Sequence, residues 1–221
     1  MNFGRTMVIV AHCDDEVLGA GGLIHNLAQK LYEISIVIVS PKSILSRPGV
    51  NEDYVETLMS QAESVSKILG SNKPVFGSFD KEISSISETK VNRWIKDQID
   101  SFSPNVVVTH QGNELHNDHN IVSSAVSIAS RPKGGESSID IIHFEPISVY
   151  PAKDFWPNLY LSMSLSDIDA KIKAMEIYDG ELQTHETDWR TVYGIRSRAI
   201  IRGLECSKEL AEAFSIWRSY I

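Results

Sequence analysis

Residues 7–31 read MVIVAHCDDEVLGAGGLIHNLAQKL. Met7 to Ala11 form a continuous Val/Ile-rich run, the pattern of a strand covered on both faces. From Val17 the period changes: Val17, Ala20, Ile24, Leu27 and Leu31 recur at three- and four-residue steps, which predicts a helix. A buried strand that feeds a helix through a short polar turn is the opening of a βαβ unit.

The rest of the chain repeats this alternation. Ile34–Val39, Val106–Val108 and Ile139–Phe144 are further apolar runs of strand length. Helical spacing returns in Val55, Leu58, Ala62, Val65 and Leu69, with Gly70 as the stop, and in Val91, Ile95, Ile99 and Phe102 ahead of Pro104. Ile121, Val122, Ala125 and Ala129 mark another helix. Strands alternating with helices of this length imply right-handed crossovers and a parallel sheet. The last third is less regular. Pro146, Pro151 and Pro157 mark a loop; Ile168, Ile172, Met175 and Leu182 suggest a helix; Thr191–Arg202 fits a strand or a helix; and Ala211–Ile221 reads as a closing helix. The expected fold is α/β, a single Rossmann-like domain over residues 1–221, with a mostly parallel sheet flanked by helices.

Composition narrows the function classes. The 221 residues carry 21 Lys and Arg against 29 Asp and Glu, a net charge of −8. That balance lacks the basic footprint of a general nucleic-acid or anionic-membrane binder, so neither partner is expected. No run approaches the ~18 apolar residues needed to span a bilayer, and the opening apolar run breaks at His12, too short for a signal segment. Cys13 and Cys206 form no spaced framework. The expected location is the cytoplasm, and a homo-oligomer is left open.

In an open parallel sheet, ligands bind beyond the carboxyl ends of the strands. His12-Cys13-Asp14-Asp15-Glu16 follows the first strand, and His116-Asn117-Asp118-His119 comes shortly after Val106–His110. Each cluster alone has an ordinary explanation. Acidic residues in a first helical turn complement the helix dipole, and paired histidines occur in solvated loops. Two clusters of metal-ligand types after two strands of one sheet point instead to a metal site. A hydrolytic zinc site takes about three His, Asp or Glu ligands and leaves a position for water. His12, Asp15 and one histidine of the later pair would supply them, and the cation would lower the pKa of bound water from about 15.7 to about 7. Asp14 is then the candidate base, and the spare histidine could bond a developing oxyanion.

These motifs, with Leu18-Gly19-Ala20-Gly21-Gly22 and a later Ala211-Glu212-Ala213-Phe214, resemble the PIG-L/LmbE-like family of zinc-dependent N-acetylglucosaminyl deacetylases. That family's pattern is Ala-His-Pro-Asp-Asp-Glu early and His-x-Asp-His later. The resemblance implies His12, Asp15 and His119 as Zn2+ ligands, Asp14 as general base, and His116 as the group that polarises the carbonyl. It makes Asp118 a partner that orients a histidine. Two positions depart from the pattern. Cys13 stands where the family has proline, and is expected to turn its thiol away from the metal. The family's Arg-Glu pair in a following helix has no Arg counterpart between Tyr54 and Gly70, and Arg47 is misplaced for it.

The expected activity is removal of an acetyl group from an N-acetylated sugar or glycoconjugate. The alternatives are hydrolysis of another amide of an amino sugar conjugate, or an inactive sugar- or sugar-nucleotide-binding module. Substrate choice is expected in loops 41–53 and 145–157. Gly19–Gly22 lies inside the first helix and serves close packing, not a dinucleotide. His110 is read as structural or at the substrate's edge, and His143 as a core histidine. Glu145 could touch a sugar hydroxyl. For Trp156, Trp189 and Tyr193, packing is favoured over stacking on a sugar ring.

Overall fold

Strand β1 (Arg5–Val10) shows why its apolar run is unbroken. Val8 and Val10 join one apolar cluster while Met7, Ile9 and Ala11 join another, so alternate side chains serve two cores. The computed structural model describes residues 1–79, 82–132, 138–146, 155–178 and 189–220. Along them run α1 (Asp15–Gln29), β2 (Glu33–Ile38), α2 (Glu52–Leu69), β3 (Val75–Phe76), α3 (Glu88–Phe102), β4 (Val106–His110) and α4 (Asn117–Ala129). Then come β5 (Asp140–Phe144), β6 (Leu159–Ser162), α5 (Leu165–Ile177), α6 (Val192–Glu205) and β7 (Ala211–Arg218).

Among the described residues the sheet has seven strands in the order β3-β2-β1-β4-β5-β7-β6. The pairs β2–β3, β1–β2, β1–β4 and β4–β5 are parallel. Helices α1, α2 and α5 contribute to the core on one face, and α3 and α4 to the core on the other. The protein is a single α/β domain with a mostly parallel sheet. From β1 the chain builds outward to β2 and β3, then crosses to β4 on the other side. The carboxyl ends of β1 and β4 therefore flank the point where connections diverge, which is where such sheets form a crevice. No helix of the described residues is long and apolar enough to cross a membrane.

Local signals explain several boundaries. Asn51 caps α2 by accepting the Tyr54 N–H, and Gly70 ends it at φ 80°, a left-handed conformation that glycine adopts without strain. Thr191 accepts the Gly194 N–H at 3.0 Å and resolves the ambiguous stretch after it as a helix. The reading of Ala211–Ile221 as a closing helix is corrected: Ala211–Arg218 is strand β7, antiparallel to β5 and β6 on its two sides. Backbone pairing with two neighbours outweighs the helical preference of Ala and Glu, and small Ala211 and Ala213 fit the covered interior of the sheet. Short strands β3 and β6 carry no clear period. Leu182, Pro151 and Ile221 lie outside the described residues.

Candidate metal centre

The turn after β1 is held by its own side chains. The Ala11 N–H donates to His110 Nε2 at 2.9 Å, and the His12 N–H donates to Asp15 Oδ2 at 2.9 Å. Asp14 starts α1 with φ 91°, its carbonyl accepting from the Val17 and Leu18 N–H groups. Positive φ in a non-glycine residue costs on the order of 1–3 kcal/mol and persists where the surroundings impose it. The Asp14 side chain does not cap the helix; the residue is buried and lines the cleft above the turn.

Three donor atoms converge beside it. His12 Nδ1 lies 3.4 Å from Asp15 Oδ2, His119 Nε2 lies 3.4 Å from the same oxygen, and the two nitrogens are 3.3 Å apart. Tetrahedral coordination with bonds of about 2.0–2.1 Å requires donors about 3.3–3.4 Å apart. The triangle therefore has the edge lengths of one face of such a site, and the residues fit a zinc-sized divalent ion.

Each histidine presents the correct nitrogen because its other nitrogen is occupied. His12 Nε2 lies 3.2 Å from Asp118 Oδ2, and Asp118 is itself fixed by the N–H groups of Ile83 and Ser84. His119 Nδ1 lies 2.6 Å from Glu114 Oε1. Glu114 is in turn held by two backbone–side-chain bonds with Asn120. Carboxylate partners of this kind set the tautomer of a ligating histidine and raise its basicity.

The electrostatics favour a cation. Burial works against charge on His12, but Asp118 and Asp15 raise its pKa to about 9. Burial opposes charge on His119 too, yet Asp15 and Glu114 raise it to about 10. Burial likewise opposes ionisation of Asp15, but the imidazoles of His119 and His110 hold its carboxyl well below the usual range. Without metal the pocket keeps positive charge as protons, which a divalent ion would displace.

His110 and His116 differ from this pair. Burial, followed by the charge on His119, lowers His110 to about 4, and its Nε2 lone pair already accepts the Ala11 N–H. Its Nε2 lies 3.5 Å from Asp15 Oδ2, but the nitrogen is spent on the backbone. His116 is exposed at the mouth, stacked on His119 with centroids 4.4 Å apart, and burial with the neighbouring imidazolium charges lowers its pKa.

The remaining sequence expectations divide. Cys13 is buried in the apolar cluster that contains Val17 and Leu58. His143 is buried, with Nδ1 3.2 Å from Gln111 Oε1 and its ring stacked on Trp217. Glu145 pairs with Arg198 and Arg202 and does not line the cleft. Trp156 and Tyr193 are exposed, while Trp189 packs partly buried against the core. The cleft has a volume of about 260 Å3, and Pro41–Arg47 does form part of its wall, with Arg47 lining it. Glu82, Ser84 and Arg190 complete that wall, and none of them carried a signal in the sequence. Glu114 was also missed: it sits in an irregular loop, where spacing says nothing about direction.

Against known proteins, the sequence pattern of the PIG-L family, described as GlcNAc-PI de-N-acetylase, matches residues 7–130. The chain belongs to the PIG-L family. The matched stretch holds both clusters of the candidate PIG-L site. No curated protein matches the sequence. Among solved structures, the N,N′-diacetylchitobiose deacetylase of Pyrococcus horikoshii is similar at 18% identity, over 96% of this chain and 83% of that one, with a TM-score of 0.77. GalB, the 4-carboxy-2-hydroxymuconate hydratase of Pseudomonas putida KT2440, is similar at 18% identity over 98% of each chain, with a TM-score of 0.76. The teicoplanin deacetylase Orf2, solved in a zinc-inhibited form, gives 16% identity over 95% and 96%, with a TM-score of 0.74. At these identities the likeness shows a shared fold, and that fold carries more than one chemistry.

Proposed function

We propose that this PIG-L protein is a zinc-dependent hydrolase that removes the acetyl group from an N-acetylated sugar or glycoconjugate. The donor triangle of His12, Asp15 and His119, with edges of 3.3–3.4 Å at the open end of the sheet, is the observation that carries the reading. Zinc bound there would supply a Lewis acid and a water acidified to near neutral pH.

The chain's own groups complete the chemistry. Asp14 is not among the three donors and lines the same cleft, so its carboxylate accepts a proton from the attacking water. The same carboxyl returns that proton to the departing nitrogen, which leaves as an amine while the acyl carbon leaves as acetate. His116 is held neutral at the mouth, where a ring N–H donates to the oxygen of the carbonyl under attack. Asp118 and Glu114 hold His12 and His119 in register throughout.

A panel of N-acetylated sugars and sugar conjugates, scored for acetate and free amine in equal amounts, tests the proposal. Equal release, absent in Asp14→Asn, supports it. Cleavage restricted to other amides would move the assignment to a different hydrolase. Ligand binding without turnover would make the protein a sugar-binding module. Hydration of an unsaturated carboxylate, with no acetate formed, would place it with the GalB chemistry instead.

A further inference from the structure

Helix α1 is broken at Ala20, whose φ and ψ of −145° and 16° are not helical. In an unbroken helix the Gly22 N–H would donate to the Leu18 carbonyl and the Leu23 N–H to that of Gly19. Here the Gly22 N–H donates to Glu212 Oε1 at 2.9 Å and the Leu23 N–H to Glu212 Oε2 at 2.7 Å. On the other side of the break, Lys171 Nζ donates to the Leu18 carbonyl at 2.7 Å and to Glu212 Oε1 at 2.6 Å. A buried ion pair from α5 and β7 is thus spliced between the two ends of an interrupted helical bond.

The glycines make room for the splice. A Cβ on Gly22 would fall 2.9 Å from the Glu212 carboxyl carbon and 2.3 Å from Met163 Sδ, and one on Gly21 would fall 3.1 Å from Lys171 Cγ. The break separates the first part of α1, which carries Asp15, from the part that runs on to Gln29; residues on both sides of it are buried in the same core. Its first turn is held by the turn after β1, by Tyr178 Oη donating to Glu16 Oε1 at 2.6 Å and by the burial of Val17, and its far end is fixed by Lys171 and Glu212.

We propose that Lys171 and Glu212 are positioning residues for the metal centre, setting the direction of the Asp15–Gly19 turn and so the place of the Asp15 carboxylate. The inference rests on the metal-centre reading above. Its physical basis is tolerance: ligand distances must hold to within about 0.2 Å, and a five-residue turn pivoting at Ala20 moves Asp15 by more than that on a small rotation.

The test uses metal-free full-length protein, zinc affinity measured by competition with a chromophoric chelator, and thermal melting followed by circular dichroism. Lys171→Met/Glu212→Gln removes both charges together, so that neither ion is left buried alone. Lys171→Arg keeps the charge, and Ile95→Val, in the core on the opposite face of the sheet, is the control for lost stability. The expected result is cooperative melting with zinc affinity about 10–100-fold weaker in the double variant, nearer wild type in Lys171→Arg, and unchanged in Ile95→Val. At saturating zinc, kcat should fall with little change in KM.

Wild-type zinc affinity in a folded double variant would overturn the inference. So would loss of the fold in both the double variant and Lys171→Arg, which would assign the pair to the fold as a whole. Failure of the unaltered protein to take up zinc would instead remove the metal-centre reading on which the inference stands.

Discussion

Asp14 joins a left-handed backbone to a carboxylate that neither caps its helix nor belongs to the donor triangle. A residue held in that state is disposed for chemistry, and in the proposed reaction it carries the proton. Asp14→Asn should retain zinc by elemental analysis while kcat falls by about 10²–10⁴, the usual contribution of a general base. Loss of metal in step with activity would move Asp14 into the ligand set. Glu114 makes a complementary case, since it holds the far nitrogen of His119 at 2.6 Å. Glu114→Gln should weaken zinc binding by about 10–100-fold, read by chelator competition. Unchanged affinity would show that His119 needs no such support.

At the scale of elements, the break in α1 and the start of α5 decide how the site is carried. Gly19 faces Phe144, where an added Cβ would come within 2.5 Å of the fully buried ring. Gly19→Ala should lower stability by about 1–3 kcal/mol, measured from the urea midpoint, because the core is overpacked. An unchanged midpoint would mean that α1 can shift freely. At the start of α5, Ser164 and Asp167 form a capping box, and Asp167 also contacts His25 and Asn26. Burial opposes ionisation of Asp167, but His25, Ser164 and Asn26 hold its carboxyl below the ordinary 3.8. A depressed acid stabilises the fold above its unfolded pKa, and that stability is lost as the pH falls through the lower folded value. Stability should therefore decline below pH 3.8, and Asp167→Asn should be less stable at neutral pH with a shallower acid decline. Denaturant midpoints against pH would show whether the two curves converge in acid.

For the whole molecule, the two-sided parallel sheet was legible because full burial writes itself as unbroken Val and Ile runs, as in Met7–Ala11 and Val106–Val108. The meeting of His12 and Asp15 with His116 and His119 was legible too, because crossover topology sends the ends of β1 and β4 to one rim. β7 was not. Ala211, Glu212 and Ala213 favour a helix locally, and only β5 and β6 on either side make a strand the better choice. Glu114 and the Lys171–Glu212 splice were silent for a related reason: their roles depend on contacts 5 to 190 residues away in sequence, which no local period encodes.

The proposed function requires one divalent ion on the triangle of His12, Asp15 and His119. Anomalous diffraction at the zinc edge, on crystals of the zinc-loaded protein, tests it most directly. One peak is expected, about 2.0–2.2 Å from His12 Nδ1, an Asp15 carboxylate oxygen and His119 Nε2. A peak bound instead by His110 or Cys13, or no peak on the triangle at all, would contradict it.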